Sequence, residues 1–203
     1  MQHFVPASLI AVFALSATAW AQAHAGANDS AYVRVFDNCT AYQAEDEPVH
    51  FSDCAGFAGW TVHIVAGEHG AAVAYSRRGK EAQWGENPPR AGVFQDLGQV
   101  MEWRLDASGA PFATIYRSIF TGFEPGDGGQ YLTVSALRPD GEVGACHVAY
   151  VEAAQQPGAN QIAREAADYL APGWQCGIDE PIVLDLDSEL DVLTIAAQRR
   201  PGH

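Results

Sequence analysis

The chain has 203 residues, with 11 Lys and Arg against 25 Asp and Glu, a formal net charge of −14 at pH 7. Negative charge in that excess repels phosphate backbones and anionic lipid, which argues against nucleic acid and membrane surfaces and favours a basic partner. Nothing in the composition identifies an activity.

From Phe4 to Ala21 no side chain is charged, and Leu9 to Leu15 forms a short apolar core followed by small residues. That is the form of a secretory signal peptide, with Ala19, Ala21, Ala23 and Ala25 offering alternative cleavage sites. Cleavage after Ala21 or Ala23 is favoured, so residues 1–23 read as the signal. Met1-Gln2-His3 lacks Lys and Arg, which leaves a retained anchor as the alternative. A bilayer core about 30 Å thick needs about 20 apolar residues, more than this run supplies between Pro6, Ser8, Ser16 and Thr18. No later segment is apolar enough to span. The remainder, about 180 residues without a Pro/Gly/Ser linker, fits one domain over 24–197. Residues 198–203 read as a disordered tail.

Along the mature chain, Val49 to Cys54 reads as a polar loop leading into a disulfide. Trp60 to Val65 alternates, with Trp60, Val62 and Ile64 on one side, and pairs with Ala71 to Ser76 across the Gly67–Gly70 turn. A loop follows over Glu81 to Gly92. Between Gln99 and Val151, apolar runs of strand length alternate with Gly/Asp/Pro turns, which is the pattern of an antiparallel meander. In its first hairpin, a loop over Asp106 to Pro111 sets Leu105 opposite Phe112, Trp103 opposite Thr114 and Met101 opposite Tyr116. This register gathers Met101, Trp103, Leu105, Phe112 and Tyr116 on one face and Glu102, Arg104 and Arg117 on the other. A slip by one residue would mix the sets.

Asn160 to Leu170 reads as a helix with Asn160 as N-cap and Pro172-Gly173 as its stop. Ile182, Leu184 and Leu186 alternate as in a strand, whereas Leu186, Leu190 and Leu193 have helical spacing, and both readings stay open. The fold class is therefore α+β: mainly an antiparallel meander, as a sandwich or half-barrel, with one main helix packed on the sheet.

Cys39, Cys54, Cys146 and Cys176 make an even count in an exported chain, which implies two disulfides. The expected pairs are Cys39 with Cys54 and Cys146 with Cys176. A strand from Cys146 to Val151 spans about 20 Å, and the returning helix spans about 16 Å, so Cys176 should land near Cys146. No CxxC pair exists, which argues against zinc.

The chain contains no GxSxG, HExxH, P-loop or dinucleotide fingerprint. His50, Ser52 and Asp53 bring hydrolytic residue types together, but neighbours on an extended chain point to opposite faces. His63, His69 and His147 would make a metal site if their strands converged; surface histidines are the blander reading. Asp185, Asp187, Glu189 and Asp191 have the spacing of half a calcium loop, but Leu190 and Ala196 stand where that loop needs Gly and Glu. Thus no metal, cofactor or catalytic residue is expected. The strongest cluster is Glu102, Arg104 and Arg117, a candidate anion site because two arginines share one carboxylate. Its rival is a surface ion pair of small energetic value.

The segments Glu102-Trp103-Arg104, Pro111 to Arg117, Cys146 to Val151 and Asn160 to Glu165, with the cysteine arrangement, resemble a family of secreted four-cysteine proteins of Gram-negative bacteria with no assigned activity. The resemblance implies export and a shared fold, and it supplies no cofactor or catalytic residue. The reading that follows is an exported periplasmic protein without catalytic function that binds a basic protein or an envelope component. The alternatives are an envelope-directed hydrolase, whose handle would be His50, Asp53, His63 or His147 in one pocket, and an inhibitor of a basic hydrolase such as lysozyme.

Overall fold

The computed structural model describes residues 28–43, 48–77, 82, 84–85, 93–124, 127–141 and 143–199. The expected signal segment, most of the Glu81–Gly92 loop and residues 200–203 lie outside them. Among the described residues the strands are β1 (Asp29–Arg34), β2 (Cys39–Gln43), β3 (His50–Ala55), β4 (Trp60–Ala66), β5 (Ala71–Arg77), β6 (Phe94–Leu105), β7 (Pro111–Thr121), β8 (Gly128–Leu137), β9 (Ala145–Glu152) and β10 (Ile182–Leu184). The helices are α1 (Ala159–Tyr169) and α2 (Val192–Gln198), with a 3-10 turn at Ala171–Gly173 after α1. No described helix is long and apolar enough to cross a membrane.

Two sheets form, one ordered β1-β6-β7-β8-β9-β10 and the other β2-β3-β4-β5. They pack face to face, and α1 covers the opposite face of the six-stranded sheet. Strand alternation explains the layering, because every second residue turns to the same side. Trp60, Val62 and Ile64 of β4 and Val73 and Tyr75 of β5 meet Met101, Trp103 and Tyr116 in the core between the sheets. On the other face Ala113, Ile115, Val134 and Ala149 meet Ala163, Ala166 and Ala167 of α1. Alanine on both sides lets the helix backbone approach the sheet closely. The α+β class, the two-sheet sandwich and the main helix on the sheet agree with the sequence reading.

The 93–152 meander is antiparallel as its turns imply, but the sheet has additions at both edges. β1 joins β6 antiparallel. β10 joins β9 in parallel, which requires a crossover connection, supplied by α1. Both disulfides have the expected pairing, Cys39–Cys54 and Cys146–Cys176. The first lies within a strand pair, since Cys39 is directly opposite Cys54 on β2 and β3. His50 to Cys54 is thus part of a strand and not a loop. The second ties the start of β9 to the segment after α1, where the strand and helix lengths were expected to return it.

The hairpin register is partly corrected. Met101 faces Tyr116 and Trp103 faces Thr114, but Leu105 pairs with Pro111, with a register shift between Arg104 and Leu105. Phe112 is the extra residue of that bulge, and it packs on the helix-side core rather than with Trp103. A bulge bends its strand and re-aims a side chain, which alternation alone cannot foresee. The N-cap of α1 is Gly158 at φ 76°, not Asn160; that left-handed conformation suits glycine.

At the C-terminal end, β10 is followed by a turn, and Asp191 caps α2 by accepting from the Thr194 amide. Strand and helix are therefore both present around Asp185–Asp191, in succession. Order runs past the expected start of the tail: Gln198 ends α2, and Arg199 pairs with Asp179 and lies 4.1 Å above the Trp174 ring.

Candidate functional site

Glu102, Arg104 and Arg117 share one face of the sheet, as the register implied, and α1 packs on that face, but the members of the cluster divide. Arg104 is only 5% exposed. Its Nε donates to Asp168 Oδ1 at 3.0 Å and Nη2 to Asp168 Oδ2 at 2.7 Å, while Nη2 also reaches the Asn28 carbonyl at 2.9 Å and Nη1 reaches Ser30 Oγ. Glu102 accepts from Ser30 Oγ at 2.6 Å and from Arg164 Nε at 2.8 Å. Two arginines and two carboxylates thus form one network between β1, β6 and α1. Arg104 is neither a surface pair nor open to an anion in this arrangement: its donors go to Ser30, to the Asn28 carbonyl and to Asp168, which lies on a helix 64 residues away.

Arg117 stands apart from that network. Nη1 donates to Gln130 Oε1 at 2.8 Å and Nη2 to Asn160 Oδ1 at 3.4 Å. It lies beside a second irregularity of β6, between Leu97 and Met101. There, a Cβ on Gly98 would come 3.1 Å from the Arg117 Cβ and 3.3 Å from its carbonyl oxygen, so glycine permits the close approach of the two strands.

Among the described residues, His50, His63, His69 and His147 do not converge on a metal-binding cluster. His147 is buried against Tyr150, Nδ1 to Oη 2.8 Å. His69 lies on the β4–β5 turn beside Phe94, ring centroids 5.8 Å apart, and His50 begins β3 opposite Ala66. His63 makes a contact set the sequence did not suggest: Nδ1 is 2.7 Å from Asp53 Oδ1, and Nε2 is 2.6 Å from Ser76 Oγ. In the tautomer that donates from Nδ1 to the Asp53 carboxylate, Nε2 accepts from the Ser76 hydroxyl. The three residues come from the adjacent strands β3, β4 and β5, and they have the connectivity of a hydrolytic relay. Ser52 and His50, which the sequence grouped with Asp53, take no part. Access argues against catalysis, because Ser76, near the end of β5 opposite Thr61, is 4% exposed. The relay as it stands fastens three strands.

The acidic run at Asp185–Asp191 is consumed locally. Asp185 Oδ1 accepts from the Asp187 amide at 3.1 Å and from Ser188 Oγ at 3.1 Å, and Asp191 caps α2.

A different site emerges at one open end of the sandwich. Phe36 after β1, the β4–β5 turn and the first residues of β6 enclose a cleft of ≈ 360 Å³. Phe36, His69 and Phe94 give it aromatic walls, Ile64 and Leu97 an apolar floor, and Glu68 and Asp96 an acidic rim. The turn is held to β6 by the Gln95 amide, which donates to the His69 carbonyl at 3.0 Å. Phe123 extends the wall by an edge-on contact with Phe94, centroids 5.7 Å apart. These phenylalanines are open to solvent, Phe36 at 48%, Phe94 at 39% and Phe123 at 76%. Grouped exposed aromatics cost solvation and commonly mark a binding surface. No signal in the sequence groups them, because they lie singly in three separate segments.

No protein-family model, curated protein or solved structure matches the chain.

Proposed function

We propose that this is an exported binding protein without catalytic function, which takes a cationic segment of a basic protein into the aromatic cleft at the open end of its sandwich. The observation that carries the reading is the exposed Phe36, Phe94 and Phe123 set beside Glu68 and Asp96. Aromatic faces attract guanidinium and ammonium groups, and aromatics at the centre of an interface carry much of its affinity. The acidic rim and the −14 net charge favour encounter with a basic surface. Paired disulfides among the described cysteines suit an oxidising compartment, periplasmic or extracellular. An inhibitor of a basic hydrolase such as lysozyme is one form of this function, and lysozyme is a ready probe.

Calorimetric titration with a short Arg- and Lys-rich peptide tests the reading. Binding should weaken with salt. Phe94→Ser should weaken it by about tenfold or more, corresponding to ~1.4 kcal/mol, and Asp96→Asn by less. Equal affinity for an acidic peptide, or no effect of Phe94→Ser, would refute it. Lysozyme run in parallel tests the inhibitor form.

Hydrolysis is the second reading, favoured by the Asp53–His63–Ser76 distances. An active-site-directed fluorophosphonate should label the protein, and Ser76→Ala should abolish labelling. An unlabelled wild type ends that reading.

A further inference from the structure

We propose that a second cleft, on the helix side of the six-stranded sheet, binds the carboxylate of a small molecule through Arg117, with Asn160 and Tyr32 as further donors. The cleft measures ≈ 240 Å³. Ile115 and Leu132 contribute apolar lining, and Arg117, Tyr32, Asn160 and the Arg164–Glu102 ion pair polar lining.

Charge makes the first part of the case. Arg104 and Arg164 are matched by Asp168 and Glu102, so that network is neutral. Among the described residues, the side-chain partners of Arg117 are two neutral amides, Gln130 and Asn160. One uncompensated positive charge therefore lines this cleft in a protein of net charge −14, and a singly charged carboxylate would balance it.

Spare donors make the second part. Asn160 Oδ1 accepts from Arg117, which leaves its amide N–H groups to donate elsewhere. Tyr32 Oη accepts from Arg164 Nη2 at 3.2 Å, which leaves its own O–H proton available. A carboxylate is an acceptor only and suits a guanidinium fork, so these groups match it in number and sign. The apolar lining suits a short carbon chain behind the carboxylate. Arg104, with its donors spent on Asp168, is not part of this site. The aromatic cleft lies between the two sheets, so either site can fail without the other.

The test is a titration with sodium acetate against sodium chloride at matched ionic strength, followed through arginine Nε–H resonances in ¹⁵N spectra. The Arg117 resonance should move saturably with acetate and not with chloride. Arg117→Gln should abolish saturable acetate binding and leave the melting curve of the unliganded protein near that of the wild type. Asn160→Asp, which sets a fixed carboxylate against Arg117, should suppress acetate binding while leaving Arg117 in place, so it decides the matter if Arg117→Gln folds poorly. Absence of saturation with acetate, or undiminished saturation in Asn160→Asp, overturns the proposal. Saturation with phosphate and not with acetate overturns the carboxylate assignment.

Discussion

Arg104 on β6 and Asp168 on α1 are joined by two parallel hydrogen bonds, 3.0 and 2.7 Å long, beneath the surface of the domain. This pair fixes α1 on the six-stranded sheet, and Glu102 extends it to Arg164 of the same helix. Removing one partner of a buried pair strands the other charge, which typically costs about 3–5 kcal/mol. Arg104→Ala should therefore destabilise the fold by about that much in urea denaturation. A loss below about 1 kcal/mol, the range of exposed ion pairs, would contradict the buried geometry.

Trp103 is fully buried between the sheets, 6.0 Å edge-on from Tyr75 and 6.4 Å from Phe57. Truncation of an aromatic in such a core costs about 3–5 kcal/mol, and Trp103→Ala should show it. Phe112→Ala should leave the sandwich core undisturbed, because the bulge turns Phe112 to the helix side. The Trp103 indole Nε1–H resonance separates the two outcomes: its displacement in Phe112→Ala would contradict the bulged register.

Burial of the Tyr116 hydroxyl pushes its pKa up to about 12 from the usual 10.0, with a smaller opposing effect from the neighbouring Thr133 side chain. The Tyr75 hydroxyl is raised well above its ordinary value, chiefly by burial. The folded state holds these protons longer than the unfolded chain does. The contribution of Tyr116 is therefore fully present below pH ~10 and is lost as pH rises toward ~12, and that of Tyr75 is likewise lost only at alkaline pH. For Tyr116 the loss amounts to about 2–3 kcal/mol. Stability measured across that window should fall, and Tyr116→Phe should flatten the fall. Tyrosinate absorbance rising near pH 10 in the folded protein, with no later step, would contradict the burial.

The hairpin phase around Trp103 was legible in the sequence because alternation sorts apolar from charged residues over a whole strand pair. The disulfide partners were legible for a related reason, that matched element lengths return Cys176 to Cys146. Arg104 was misjudged because alternation tells which face a residue occupies and not what covers that face; Asp168 arrives from a distant helix. Phe112 was misplaced because a single bulged residue leaves no periodic trace. Asp53 and His63 stood together among the hydrolytic candidates, but Ser76 was missed because the relay runs across three strands, one of which reads locally as a polar loop. The aromatic cleft was equally hidden, since Phe36, Phe94 and Phe123 meet only through the packing of a turn against a strand.

Backbone amide shifts during titration with an Arg- and Lys-rich peptide test the proposed binding function most directly. Movement that saturates and is confined to residues 64–71 and 94–97, with Phe36 and Phe123, is the result expected. Movement spread along the acidic surface without saturation, or centred on another face while those residues stay still, would contradict it.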